Sequence, residues 1–171
     1  NALLKILEEP STNIYFILIN SNKKILQTLL SRCINYRISI SNKENYEISN
    51  KLLDGKLFEL INNDLINYYF SPGNIYNLYE FGKINEYDLM NLNLKEFLKI
   101  IIKDNHYKKN NFIKYLIFDL IEFFFIEINF TFTSKVNDKY NYFIKKISDS
   151  KRFNLDVDIL FMEFEDEILN G

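Results

Sequence analysis

The sequence predicts a mostly helical protein in which a short α/β segment precedes the helices. Four glycines and two prolines occur in 171 residues, and this scarcity favours long helices over tight turns. Apolar residues recur at helical spacing over much of the chain after residue 41, whereas two short runs before it have the apolar patterns of strands. With 47% hydrophobic residues, the chain has enough apolar material for a buried core.

Residues 1–40 contain the two predicted strands. A helix that ends before Pro10 begins the chain, because proline disfavours helix at the residue before it and lacks a backbone donor. The continuous apolar run over residues 14–19 is typical of a strand covered on both faces, as in a parallel sheet. A short helix over about residues 25–30 follows, and residues 34–40 alternate apolar with polar side chains. We therefore expect two parallel strands joined by a helix.

A small helical domain is predicted for residues 41–92. Ser41 or Asn42 can cap its first helix, since their side chains accept hydrogen bonds from backbone N–H groups. A Ser-Pro-Gly break at residues 71–73 separates the second helix from the third, and Gly82 closes the third. The three helices are expected over about residues 42–53, 57–70 and 74–81.

A helical bundle is predicted for residues 93–171. Three stripes of apolar residues recur there at helical spacing, and we expect all three to form core. The first comprises Ile113, Leu116, Ile117, Leu120, Ile121, Phe124 and Ile128. The second comprises Val136, Tyr140, Phe143, Ile144 and Ile147, and the third Val157, Leu160, Phe161, Phe164 and Ile168.

Charge and composition exclude several classes of protein. The formal net charge is −2, without the basic excess of an autonomous nucleic-acid binder. Cys33 is the only cysteine, so neither a disulfide nor a cysteine-based zinc site can form within the chain, which fits a reducing cytoplasm. The apolar stretch 113–128 carries four charged residues and is too short to span a membrane. Because Asn1 lies within a predicted helix, we expect the chain to be part of a longer protein.

Three short motifs follow one another within the first 33 residues. They are Asn-Ala-Leu-Leu-Lys-Ile-Leu-Glu-Glu-Pro at residues 1–10, the apolar run that ends at Asn20, and Leu-Leu-Ser-Arg-Cys at residues 29–33. In this order and spacing they resemble the AAA+ subunits of bacterial DNA polymerase III clamp loaders. The resemblance matches them to the segment after the Walker B strand, to the sensor-1 strand and to the Ser-Arg-Cys motif that carries the arginine finger.

Two later segments are similar to the same family. Ser71-Pro72-Gly73 resembles the start of the lid-domain helix, and Phe153-Asn154-Leu155-Asp156 resembles the start of the last collar helix. The resemblance implies three parts. Residues 1–40 would be the C-terminal part of the AAA+ α/β core, residues 41–92 the helical lid domain, and residues 93–171 the helical collar domain.

The resemblance also indicates which kind of subunit this is. Motor subunits begin the lid helix with Gly-Ser-x-Arg-Asp, in which the arginine is the sensor-2 residue. Here Phe70 replaces the expected glycine, and Ser71 is followed by Pro72, Gly73 and Asn74, with Gly73 at the position of that arginine. No Gly-x-x-x-x-Gly-Lys-Ser/Thr phosphate loop occurs in the sequence either. These departures favour a non-motor subunit of the delta-prime type, not catalytic by itself, and leave open a divergent motor subunit of the gamma/tau type.

Arg32 is the residue for which the resemblance implies a part in catalysis. As an arginine finger it would reach, in trans, the ATP bound by a neighbouring motor subunit, where it would stabilise charge on the transferring phosphoryl group. The alternative is an ordinary surface or interface salt bridge. Ser31 is expected to orient the turn by a bond to the backbone, and Cys33 to act as a small buried hydrophobe. Asn20 is either a sensor-1 remnant or a turn residue at the strand end.

The implied partners are the gamma/tau motor subunits and delta, and indirectly the sliding clamp and primer–template DNA. No cofactor or metal ion is expected in the chain itself. An unrelated helical interaction module remains a further alternative. His106 has no partner visible in sequence and is predicted to be a loop histidine, while Glu8 and Glu9 are predicted to form a solvated helix end.

Overall fold

The computed structural model describes residues 13–20, 25–67, 70–129 and 134–170. The chain divides into two compact units, Asn1–Ile40 and Ser41–Gly171. The helix end predicted before Pro10, with Glu8 and Glu9, lies outside the described residues. The assignment of residues 41–92 and 93–171 to separate lid and collar domains stays a prediction.

In the described residues of the first unit, 13–20 and 25–40, there is one short helix, α1 (Gln27–Leu30). The prediction of two parallel strands is wrong for the described residues, because neither residues 14–20 nor residues 34–40 pair into a ladder. Ile17 and Ile19 are 88% and 93% exposed, and Tyr36 is 85% exposed. The apolar patterns are typical of strands, but a parallel pair is stable only with neighbouring strands and covering helices. Within the described residues, these side chains have no such cover.

The second unit begins with α2 (Asn42–Leu52), which starts where the sequence predicts. The Ser41 hydroxyl accepts a hydrogen bond from the Glu44 N–H at 3.3 Å, and the Glu44 carboxylate accepts one from the Ser41 N–H at 2.8 Å. This reciprocal capping box satisfies two backbone donors at the helix start. Beyond the helix, Gly55 has a φ of +80° and donates its N–H to the Asn50 carbonyl at 2.8 Å, a backbone conformation that favours glycine.

The second predicted helix is much shorter than expected. Helix α3 (Leu57–Leu60) ends after four residues and is followed by a 3₁₀ turn at Asn63–Leu65. Asn62 explains the break, because its side-chain oxygen accepts from the Asp64 N–H at 3.1 Å and its own N–H donates to the Leu89 carbonyl at 3.0 Å. Short polar side chains offer the backbone such alternatives to helix. The end of the predicted helix includes residues 68–69, which lie outside the described residues.

Helix α4 (Pro72–Ile84) extends beyond both of its predicted ends. Ser71 caps its start by accepting from the Asn74 N–H at 3.2 Å, and Pro72 occupies the first turn, where its missing donor costs nothing. Gly82 does not close the helix, as the sequence suggested, but lies inside it. A Cβ atom at Gly82 would lie 2.6 Å from Leu89 Cγ, so glycine is needed for the close approach of Leu89.

Replacing Gly82 with alanine is therefore expected to destabilise the second unit. Alanine favours helix by about 1 kcal/mol over glycine, but overpacking against the buried Leu89 side chain costs about 1–3 kcal/mol. Urea unfolding of Gly82→Ala, Leu89→Ala and the double variant would measure the coupling between the two sites. We expect the alanine at residue 82 to be tolerated once Leu89 is shortened. A Gly82→Ala variant more stable than the wild type would contradict this packing.

Five α-helices follow in the described residues of the unit. They are α5 (Leu94–Lys103), α6 (His106–Lys109), α7 (Asn111–Asn129), α8 (Ser134–Phe153) and α9 (Asp158–Phe164), and a π-helical turn at Glu165–Leu169 follows. No helix in the described part of the chain is long and apolar enough to cross a membrane.

The core of these helices combines aliphatic and aromatic side chains, as the three predicted stripes indicate. In α7, every predicted stripe residue from Ile113 to Phe124 is buried. Phe143 of α8 and Phe164 of α9 are fully buried and meet edge to face at 5.3 Å between ring centroids. The stripes are thereby confirmed as core, except that the side chains of Ile128 and Val136 lie outside the described residues.

Candidate functional site

The turn that carries Ser31, Arg32 and Cys33 directly follows α1. The Ser31 hydroxyl donates to the Thr28 carbonyl at 3.1 Å, and Arg32 Nη1 donates to the same carbonyl at 2.8 Å. Arg32 Nη1 also lies 3.3 Å from Ser31 Oγ. The Thr28 carbonyl in the last turn of α1 thus provides the acceptor that positions the guanidinium.

Arg32 is exposed at this turn. A guanidinium carries five N–H donors in a planar fork that matches the geometry of carboxylate and phosphate oxygens. The contacts with Thr28 and Ser31 are both made by Nη1, and they fix the direction of the guanidinium. The arrangement can present a cation to an anionic group on another molecule.

The neighbouring candidate residues are placed as follows. Cys33 is half-buried, and its carbonyl accepts from Asn35 Nδ2 at 3.4 Å, a contact that supports the turn after the motif. Asn20 is exposed at the end of the described segment 13–20. Ser71, Pro72 and Gly73 lie in the second unit at the start of α4, whose first turn holds no arginine. Among the described residues, no group of three or more His, Cys, Asp or Glu side chains could hold a metal ion.

Comparison with known proteins places the first motifs in a family. Residues 1–42 match the sequence profile of the family described as DNA polymerase III, delta subunit. A delta-prime subunit of DNA polymerase III from Buchnera aphidicola subsp. Baizongia pistaciae is 54% identical over 46 residues. That from Haemophilus influenzae is 49% identical over 45 residues. The resemblance to delta-prime subunits is thereby confirmed for this segment.

We call residues 1–42 the delta-prime segment. The alignments cover 26% of this chain and 14% of each relative, so the chain matches only a small part of the length of these subunits. No solved structure matches the chain. Asn20, Ser31, Arg32 and Cys33 all lie within the delta-prime segment, whereas Ser71 and the helices after α2 lie outside it.

A hydrogen-bonded cluster that the sequence did not reveal lies in the second unit. The Tyr87 hydroxyl donates to Asp104 Oδ2 at 3.0 Å and lies 2.7 Å from His106 Nε2. The rings of Phe81 and His106 meet edge to face at 5.0 Å. His106 is therefore not the partnerless loop histidine that the sequence predicted. Tyr87 stands 17 residues from Asp104 in the sequence, and no spacing pattern points to such a pairing.

The cluster fastens the segment after α4 to the turn between α5 and α6. A tyrosine hydroxyl has one proton to donate, so when it donates to Asp104 it accepts from His106 Nε2–H. Asp104 is the C-cap residue of α5, and its carboxylate accepts the hydrogen bond from the Tyr87 hydroxyl. The cluster therefore has a structural role, since its hydrogen bonds hold the segment after α4 to the turn between α5 and α6.

The cluster makes stability depend on pH in the alkaline range. Burial, with the neighbouring Asp104 carboxylate, raises the pKa of Tyr87 to about 12, above its value of about 10 in an unfolded chain. Between these values the unfolded state loses the proton and the folded state keeps it, so stability falls as pH rises from about 10. Tyr87→Phe is expected to make this loss shallower. Denaturant unfolding between pH 8 and 11, in about 1-unit steps, would measure it.

An exposed tyrosine provides the matched control for this experiment. Tyr76 is 40% exposed on α4, and Tyr76→Phe should leave the alkaline slope unchanged. Equal slopes for the wild type and Tyr87→Phe would show that the cluster does not carry the pH dependence.

Proposed function

We propose that the gene product carrying this chain is a delta-prime subunit of the DNA polymerase III clamp loader, which helps to load the sliding clamp onto primed DNA during replication. The observation that carries the proposal is the delta-prime segment, residues 1–42, with its Ser31-Arg32-Cys33 motif. Its similarity to two delta-prime subunits, at about half of the aligned positions, supports the same assignment.

In this function Arg32 acts as an arginine finger in trans. It stabilises the charge that develops on the γ-phosphoryl group of ATP bound to a neighbouring gamma/tau motor subunit. The exposure of Arg32 and its two contacts at the end of α1 support this role. A group held by local contacts keeps its direction before the partner arrives, which is what preorganised charge stabilisation requires.

We assign this chain an adaptor role without ATP hydrolysis of its own. No phosphate loop occurs in its 171 residues, and no arginine occupies the first turn of α4, where the motor subunits carry sensor 2. Residues 41–92 serve as the lid and residues 93–171 as the collar, which binds the motor subunits and delta. The exposed apolar face of α9, with Ile159 and Met162 at 72% and 60% exposure, suits such a contact.

A helical interaction module is the second candidate function. It is favoured by the short extent of the matched segment and by the absence of paired strands in residues 13–20 and 25–40. This candidate predicts binding to a partner outside the clamp loader and no effect on its ATP hydrolysis.

Assembly tests the proposal. The gene product is mixed with purified gamma/tau and delta subunits and followed by size-exclusion chromatography with light scattering. We expect a stoichiometric complex, weakened by Ile159→Ser with Met162→Ser because both side chains are exposed on α9. Ile84→Ser, at a 76% exposed apolar residue of α4, is the control. Failure of the wild-type protein to enter the complex would favour the interaction module.

A further inference from the structure

A pocket of about 350 Å³ opens on the surface of the second unit. Its walls come from four elements: Tyr46 of α2, Asp64 of the 3₁₀ turn, Leu94 and Lys95 at the start of α5, and Phe124 and Glu127 of α7. The volume lies at the lower end of the range for ligand pockets, about 300–1,000 Å³. None of the motifs in residues 1–33 contributes to it.

The floor and the mouth of the pocket differ in character. Leu94 and Phe124 are 7% and 9% exposed and form an apolar floor, and Tyr46 is a half-buried aromatic wall. Asp64, Lys95 and Glu127 are exposed and form a charged mouth. A ligand that fits both parts has an apolar stem and a charged head.

The charges at the mouth indicate the sign of that head. Two carboxylates and one ammonium group are present there, and neither Asp64 nor Glu127 forms an ion pair with another described residue. At the start of α5, two backbone donors are already used, because the Glu96 N–H donates to Asn93 Oδ1 at 2.9 Å and the Asn93 N–H donates to the Glu96 carboxylate at 3.1 Å. The net charge of these three side chains is negative, which favours a cation at the mouth.

We propose that this pocket receives the side chain of an arginine presented by a partner protein. Arginine has an aliphatic stem for the apolar floor and a planar guanidinium that stacks on aromatic rings and pairs with carboxylates through several donors. Tyr46 provides the aromatic wall, and Asp64 and Glu127 provide the acceptors. The site is independent of Arg32 and of the clamp-loader assignment, so its test can fail without affecting either.

The test uses nuclear magnetic resonance of the ¹⁵N-labelled chain, titrated with the peptide acetyl-Gly-Arg-Gly-amide. The same peptide with citrulline in place of arginine is the matched probe, because it keeps the shape and removes the charge. We expect saturable shifts of amide signals around Asp64, Lys95 and Glu127 with the arginine peptide. The citrulline peptide is expected to bind about ten-fold more weakly or worse.

Variants identify the acceptors. Asp64→Asn with Glu127→Gln should weaken binding of the arginine peptide about ten-fold or more. Glu59→Gln with Asp138→Asn removes the same charge from two exposed residues outside the pocket and should change nothing. If the spectrum of the double variant is that of an unfolded protein, Glu127→Gln alone is used to test the binding of the arginine peptide. Equal binding of both peptides, equal loss in both double variants, or no saturable shift would each overturn the proposal.

Discussion

Arg32→Ala is expected to slow ATP hydrolysis at the neighbouring motor subunit by about 10³-fold or more, the range found for arginine fingers in other phosphoryl-transfer enzymes. The guanidinium is exposed at the end of α1 and held by Thr28 and Ser31, so its removal takes away charge without disturbing a core. The measurement is single-turnover hydrolysis by the reconstituted clamp loader with sliding clamp and primed DNA. In the variant complex, the ATP at this interface should remain unhydrolysed while the other sites turn over.

Two further variants separate a finger from a simple charge. Arg32→Lys keeps the positive charge but loses the planar fork, and we expect it to recover little of the rate. Arg37→Ala removes another exposed arginine, five residues away, and the complex that carries it should hydrolyse ATP at the wild-type rate. A fully active Arg32→Ala complex, or equal defects in Arg32→Ala and Arg37→Ala, would contradict the finger.

Phe143→Ala is expected to cost the second unit about 3–5 kcal/mol of unfolding free energy, as truncation of a buried phenylalanine does. Phe143 is 0% exposed, and its ring lies 5.3 Å from that of Phe164 and 5.9 Å from that of Phe125. Alanine would leave a cavity where α7, α8 and α9 meet. Because domains are stable by only about 5–15 kcal/mol, much of the unit should be unfolded already in mild urea.

An exposed phenylalanine on the same helix provides the control. Phe153 is 59% exposed near the end of α8, and Phe153→Ala is expected to change the unfolding free energy by about 0.5 kcal/mol or less. Urea unfolding followed by circular dichroism would measure both variants. Equal losses for Phe143→Ala and Phe153→Ala would show that the aromatic cluster is not the core of the unit.

The helical stripes could be predicted from sequence because helical spacing directly reports which side chains face the core. The predicted stripe residues of α7 from Ile113 to Phe124 are buried as predicted, and so are Leu160, Phe161 and Phe164 of α9. The start of α2 can also be predicted from sequence, because the Ser41 side chain is a hydrogen-bond acceptor of the kind that caps a helix, and the helix begins at the next residue. In both cases the information is local.

Predictions failed where contacts distant in sequence decide the structure. Residues 57–70 look helical by their apolar pattern, but Asn62 binds the Leu89 carbonyl across the fold and α3 ends early. Gly82 is predicted from sequence to end its helix, because the sequence does not show its contact with Leu89. The two apolar runs of residues 14–19 and 34–40 show strand patterns, yet a pattern cannot supply the neighbouring strands that a ladder needs.

In the candidate site, too, local features could be predicted from sequence and contacts between distant residues could not. Ser31-Arg32-Cys33 was found because its residues are adjacent and the motif is specific, and the family match covers it. The bonds that position Arg32 also lie within one helical turn. Tyr87, Asp104 and His106, by contrast, meet only because the segment after α4 packs against the turn between α5 and α6. Neither that cluster nor the pocket beside Asp64 and Glu127 had a signal in the sequence.

A photo-cross-link from residue 32 would test the central claim most directly. Arg32→p-benzoylphenylalanine is introduced into the gene product, the clamp loader is reconstituted with ATP and irradiated, and the adduct is mapped by mass spectrometry. The proposed function predicts an adduct with a gamma/tau motor subunit, at peptides beside its phosphate loop. A complex that assembles but yields adducts only with delta, or only within the chain itself, would contradict the role of Arg32 in trans.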